Sequence, residues 1–126
     1  MNKTTTRTAT IHIDDNNILH IVMRDNVRLD YEDAIDNALV IKKLTEGKKA
    51  LKLIDARLKF SMDKKARKFI NEVDLKQTLA RAVVKGSVVN SLLPNFFMSL
   101  SKPETPTKIF SDYNEAYKWL LEFQKD

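Results

Sequence analysis

The chain has 126 residues, 43% hydrophobic and 31% charged, which fits one domain with one core, and it contains no low-complexity tract and no ~20-residue apolar run of a membrane span. It has no cysteine, so disulfides, thiolate catalysis and thiolate metal ligation are excluded together. Lys and Arg number 22 against 17 Asp and Glu, a net charge of +5, modest enough that a site for an acidic partner must be argued from where the charges fall.

The first residues, Met1-Asn2-Lys3-Thr4-Thr5-Thr6-Arg7, lack the apolar segment of a signal peptide, so the cytoplasm is the expected location. Residues 8–14 alternate with Ala9, Ile11 and Ile13 on one face, and residues 18–24 alternate with Leu19, Ile21 and Met23 on one face. These read as a hairpin. A three-residue turn, Asp15-Asn16-Asn17, sets Ile13 opposite Leu19 and Ile11 opposite Ile21, with every apolar residue on one side, whereas an even turn scrambles the faces. The same register puts His12 across from His20, near Asp14, on the non-core face. The plain reading is two half-exposed strand histidines, and a weak divalent-metal site is the sharper one.

Residues 30–46 follow as a helix, with Glu32 and Asp33 in the first turn, Lys42 and Lys43 in the last, and Gly47 where a C-terminal cap belongs. Residues 50–55 read as a mostly buried strand. Residues 62–77 read as a helix turning Ala66, Phe69, Ile70 and Val73 inward, and residues 80–85 as a short strand. Ser87 caps an apolar helical segment over 88–100, interrupted by Pro94, which removes a backbone donor and kinks or splits it. Residues 102–106 form a turn-rich connector and 107–110 the last strand. Asp112 and Glu115 then read as a capping box opening an amphipathic helix with Ala116, Trp119, Leu120 and Phe123 as its apolar stripe. Strand-helix alternation after a hairpin predicts a single α/β domain over 1–126, with a mixed five-stranded sheet and about four helices. Ile11, Leu19, Ile21, Leu53, Val83, Ile109 and Trp119 are the expected core.

Gly47 and Gly86 are the only glycines, which excludes a Gly-rich phosphate loop. No serine sits in a nucleophile elbow, and a lone Asp55 at a strand end has loop-capping as its commoner role. No catalytic, cofactor or metal site is therefore assigned. The residues that fit a purely structural role least are Lys59, Ser61, Asp63, Lys64, Lys65, Arg67 and Lys68. Cations in the first turns of a helix oppose its dipole, each by a few tenths to ~1 kcal/mol. Exposed backbone N–H groups with Lys and Arg are the makings of an anion site for a phosphate, a phospholipid head group or an acidic protein surface. The plain alternative is a solvated face partly neutralised by Asp63 and Glu72. The second unusual stretch is 88–100, whose apolar residues, Leu93, Phe96, Phe97 and Met98 among them, cover more than one sheet face requires. Core packing is the plain reading there, with a homodimer surface or an apolar-ligand groove beside it.

The closing pattern Phe110-x-Asp112-x-x-Glu115-Ala116-x-x-Trp119-Leu120 resembles that of the SpoIIAA-like, STAS-related group of small bacterial domains. The resemblance is best from Ala80 onward and in element order covers the whole chain. It implies a SpoIIAA-like fold and a non-catalytic regulatory or protein-interaction role with a protein partner. In the anti-sigma-factor antagonists of this type, an Asp-Ser-Ser-Gly motif at a helix start carries the serine whose phosphorylation switches partner binding. Counted from Asp55, the motif falls on Asp63-Lys64-Lys65-Ala66, where Asp63 matches, lysines replace both serines and alanine replaces the glycine. Ser61, two residues upstream, is the available stand-in, or else an N-cap. The group is also similar to CRAL-TRIO lipid-binding domains, which implies the alternative of a lipid or small-apolar-ligand protein using 88–100 and the last helix. Nucleic acid is not an expected partner, since no reading motif or aromatic stacking set accompanies the lysines.

Overall fold

The opening hairpin closes in the odd register that hydrophobic alternation requires. β2 (Ala9–Ile13) and β3 (Ile18–Met23) are antiparallel, with Ile13 opposite Leu19, Ile11 opposite Ile21 and His12 opposite His20. Asn17 takes the left-handed conformation (φ 64°) that a three-residue hairpin loop needs, and the Asp14 carboxylate accepts the N–H groups of Asn16 and Ile18, each at 2.9 Å. The computed structural model describes residues 3–86 and 105–124, the side chain of Leu75 excepted. The main sheet over those residues has the order β1-β2-β3-β5-β7-β8, with β1 (Thr4–Thr5) antiparallel to β2 and β5 (Ala50–Ala56), β7 (Thr78–Lys85) and β8 (Thr107–Phe110) parallel to β3.

The sheet thus has six strands against the five expected. The extra strand is β1, two threonines too short to show any period. Three helices are described: α1 (Tyr31–Leu44), α2 (Lys64–Gln77) and α3 (Tyr113–Leu121). The segment expected as a helix over 88–100 lies outside the described residues. A second, two-stranded parallel sheet, β4 (Val27–Leu29) with β6 (Phe60–Met62), also escapes sequence periodicity, each strand being three residues long.

α1 begins at Asp30. The Asp30 carboxylate accepts from the Asp33 N–H and the Asp33 carboxylate from the Asp30 N–H, both at 2.9 Å, a complete capping box. It ends as glycine placement suggests: Glu46 (φ 54°) and Gly47 (φ 77°) turn left-handed and the Gly47 N–H donates to the Lys42 carbonyl at 2.9 Å. At α3 only half of the expected box forms. Asp112 accepts from the Glu115 N–H at 3.0 Å, and no return bond from Glu115 is made among the described residues.

Strand alternation splits the core between two faces. Ala9, Ile11, Leu19, Ile21, Ile54 and Val83 pack under α1 and α2, with Ile109 half-buried at the margin. Ile18, Leu51, Leu53, Ala80, Ala82 and Val84 pack under α3 through Ala116 and Leu120. Trp119, expected in the core, is only half-buried. It packs tilted against Phe110 and edge-on against Phe123, with centroids 5.7 and 4.8 Å away. The expected stripe of α3 packs on this face, Ala116 and Leu120 buried and Trp119 and Phe123 partly so, and it is widened by Tyr113 and Tyr117, for which the hairpin offers hydrogen-bond partners.

Candidate functional site

The parallel strands β3, β5 and β7 end on one rim, where the starts of α1 and α2 also lie. β6 pairs with β4 just before α2, and the Asp63 N–H donates to the Leu29 carbonyl at 3.1 Å, which fixes where the helix begins. Asp63 is the N-cap, its Oδ1 accepting from the Ala66 N–H at 2.8 Å. Ser61 is therefore not the cap. It is the middle residue of β6, opposite Arg28, and the strand pairing holds it extended two residues before the N-cap.

Lys59, Lys64, Lys65, Arg67 and Lys68 are all exposed, and none of them makes an ion pair among the described residues. The first turn of α2 holds no acid. Only Lys65 has a local outlet, its Nζ lying 4.3 Å from the centre of the Tyr31 ring. Asp55 is already engaged, its carboxylate accepting from Arg57 Nε at 2.9 Å and Nη2 at 2.7 Å and from the Arg57 N–H at 3.1 Å. That pairing raises the Arg57 guanidinium's pKa and makes Asp55 the loop-capping residue its position suggested. Leu93, Phe96, Phe97 and Met98 lie outside the described residues.

His12 is half-exposed, as expected of a strand histidine, and His20 is not. α3 covers that face, and His20 is buried. His20 Nε2 lies 2.8 Å from Asp14 Oδ2 and Nδ1 2.6 Å from the Tyr113 hydroxyl. A carboxylate only accepts, so in the neutral ring Nε2–H donates to Asp14 and the Tyr113 hydroxyl donates to Nδ1. Tyr117 adds an O–H bond to Asp14 at 2.7 Å and receives one from Asn16 at 2.9 Å. Burial works against the charge on Asp14, but the bonds from Tyr117, His20 and two backbone N–H groups outweigh it and hold the carboxyl below its ordinary range. His12 stacks flat on His20, centroids 4.5 Å apart, with Nδ1 buried and without a hydrogen-bond partner. Desolvation, then the neighbouring His20, push its pKa down. Both nitrogens of His20 are thus engaged, Nδ1 with Tyr113 of α3 and Nε2 with Asp14 of the hairpin. No cluster of three or more His, Cys, Asp or Glu able to hold a metal occurs among the described residues.

A second buried network was missed. Lys52 Nζ lies 2.6 Å from Asp74 Oδ1, Thr78 donates to the same oxygen at 3.0 Å, and Arg81 pairs with Asp74 Oδ2 while donating from Nη1 to Thr107 at 3.1 Å. Lys52 and Arg81 are fully buried, and Arg81 Nε has no hydrogen-bond partner. The signal was in the sequence, a lysine and an arginine each in the middle of an apolar strand. Their common partner on α2 was not. Beside Lys52 and Asp74, between the sheet and α1 and α2, lies a cavity of about 90 Å³ lined mainly by apolar side chains.

The model of the DUF7793 family, described as a domain of unknown function, matches residues 11–124. Among solved structures the chain is similar to an uncharacterized protein of the DUF3478 family with a SpoIIAA-like fold from Shewanella loihica PV-4. The identity is 17%, the alignment covers 94% of this chain and 99% of that one, and the TM-score is 0.64. The fold of this chain is SpoIIAA-like. No curated protein matches it. No helix among the described residues is long and apolar enough to cross a membrane.

Proposed function

We propose that this chain, which belongs to the DUF7793 family, is a non-catalytic interaction module that docks an acidic protein surface on the rim at the start of α2. The observation that carries the reading is the set of five exposed cations, Lys59, Lys64, Lys65, Arg67 and Lys68, unpaired among the described residues, of which Lys64, Lys65 and Arg67 sit in the first turn of α2, where the helix dipole repels them. An arrangement that costs the free molecule electrostatic energy gains it back when an anionic surface arrives. Asp63 occupies the Ala66 N–H, so the partner's carboxylates meet the side-chain ammonium and guanidinium groups. Charged rims of this kind mainly set association rate and partner choice, and they act only as far as the Debye length allows.

The test is the double variant Lys64→Glu, Lys65→Glu. Carboxylates at a helix start suit the dipole, so the melting temperature should hold or rise slightly, although Lys65 leaves the Tyr31 ring. Capture of protein partners from native lysate should be lost, and capture by the wild-type chain should weaken between low and high salt. Lipid vesicles run in parallel report whether the cations serve a membrane instead. Recovery of the same partners by both chains at both salt concentrations would sink the docking reading.

A further inference from the structure

The Lys52, Asp74 and Arg81 cluster holds two cations and one carboxylate, all buried, a surplus of one positive charge in the interior. Asp74 has both oxygens engaged and cannot offset more. Lys52 has one acceptor, Asp74, among the described residues, which leaves two of its three N–H donors open. It also lines the 90 Å³ cavity, whose other walls are mainly Ile21, Met23, Ile54, Phe60, Ile70 and Val73. The polar neighbours offer Lys52 little. Asn37 is tied to Thr6 and Thr8, and the Gln77 amide N–H donates to the Ala38 carbonyl. A buried surplus cation with open donors, facing an apolar space, fits a small anion with an apolar tail. Since benzene takes a cavity of about 150 Å³, this smaller one limits the guest to fewer than six heavy atoms.

We propose that the cavity between α1, α2 and the sheet binds a short apolar carboxylate of the size of propionate, with its carboxylate on Lys52 and its alkyl end among Ile54, Ile70 and Val73. This site is separate from the rim at the start of α2, and either can fail without the other.

Methyl NMR of the full chain, titrated with sodium propionate and with propionamide at matched ionic strength, tests it. Propionamide has the same shape without the charge. Saturable shifts confined to the cavity methyls of Ile21, Met23, Ile54 and Ile70 are expected with propionate, and about tenfold weaker binding with propionamide. Lys52→Met should abolish the shifts while leaving Arg81 and Asp74 as a balanced pair. Ala38→Leu, which fills the cavity and keeps Lys52, should abolish them too and decides the matter if Lys52→Met fails to fold. The proposal is overturned by equal binding of the amide, by propionate binding that survives in Lys52→Met or Ala38→Leu, or by a wild-type chain without saturable shifts up to about 50 mM, the weak range expected of so few atoms.

Discussion

Asp74 is the residue on which two buried cations depend. Removing it strands Lys52 and Arg81 without a counter-charge, and breaking a buried pair in this way costs about 3–5 kcal/mol. Asp74→Ala should therefore lose about 3–5 kcal/mol, a large share of a domain's stability, read from its urea midpoint, whereas Lys52→Met, which leaves one cation with one carboxylate, should shift it by less than about 1.5 kcal/mol. Equal losses in the two variants would mean that the network is not limited by its carboxylate. The same residues mark where sequence reading ends. Lys52 and Arg81 are visible as charges inside apolar runs, but the partner that makes their burial tolerable sits on a helix 22 positions beyond Lys52 and is found only once α2 lies across β5 and β7. Asp63 was legible as a helix-start residue. Ser61 was misread because the three-residue pairing of β6 with β4 has no periodic signal.

At the scale of elements, α3 is held by two kinds of contact. Leu120 and Ala116 bury apolar surface against the sheet, and Tyr113 and Tyr117 reach the hairpin through His20 and Asp14. Leu120→Ala should cost about 2–5 kcal/mol. Asp112→Ala, which removes a one-sided cap, should cost only about 1 kcal/mol. Thermal melts of the two variants check the ranking, and a cap variant as damaging as the core variant would show that α3 contributes little by packing. Strongly periodic elements such as β2, β3, α1 and α2 were readable from residue spacing. The share of Tyr113 and Tyr117 in the buried face of α3 was not, because hydrophobicity does not single out tyrosines while the sheet beneath presents His20, a hydrogen-bonding partner that only the fold reveals.

For the molecule as a whole, the titrating groups with resolved shifts near the acid range act in one direction. His12 is held below its ordinary 6.5, chiefly by desolvation and then by His20, and Asp14, Asp33 and Asp74 are held below 3.8. A depressed folded-state pKa means that the unfolded chain binds protons first. The stability these groups contribute is therefore complete above their ordinary values and is lost as pH falls, first through His12 below about 6.5 and then through the carboxylates below about 4. The melting temperature should fall monotonically from pH 7.5 to pH 4, and His12→Phe, which keeps the ring stack, should flatten the upper part. A melting temperature constant between pH 7 and pH 5 in the wild type would contradict the His12 contribution. The bond from Tyr117 to Asp14 spans 103 residues of chain. During synthesis, the α3 face of the sheet must therefore wait, uncovered, until nearly the whole described chain has emerged from the ribosome. Among the described residues only α3 covers Leu51, Leu53 and Val84, so the nascent chain should be most prone to association through them just before that helix docks.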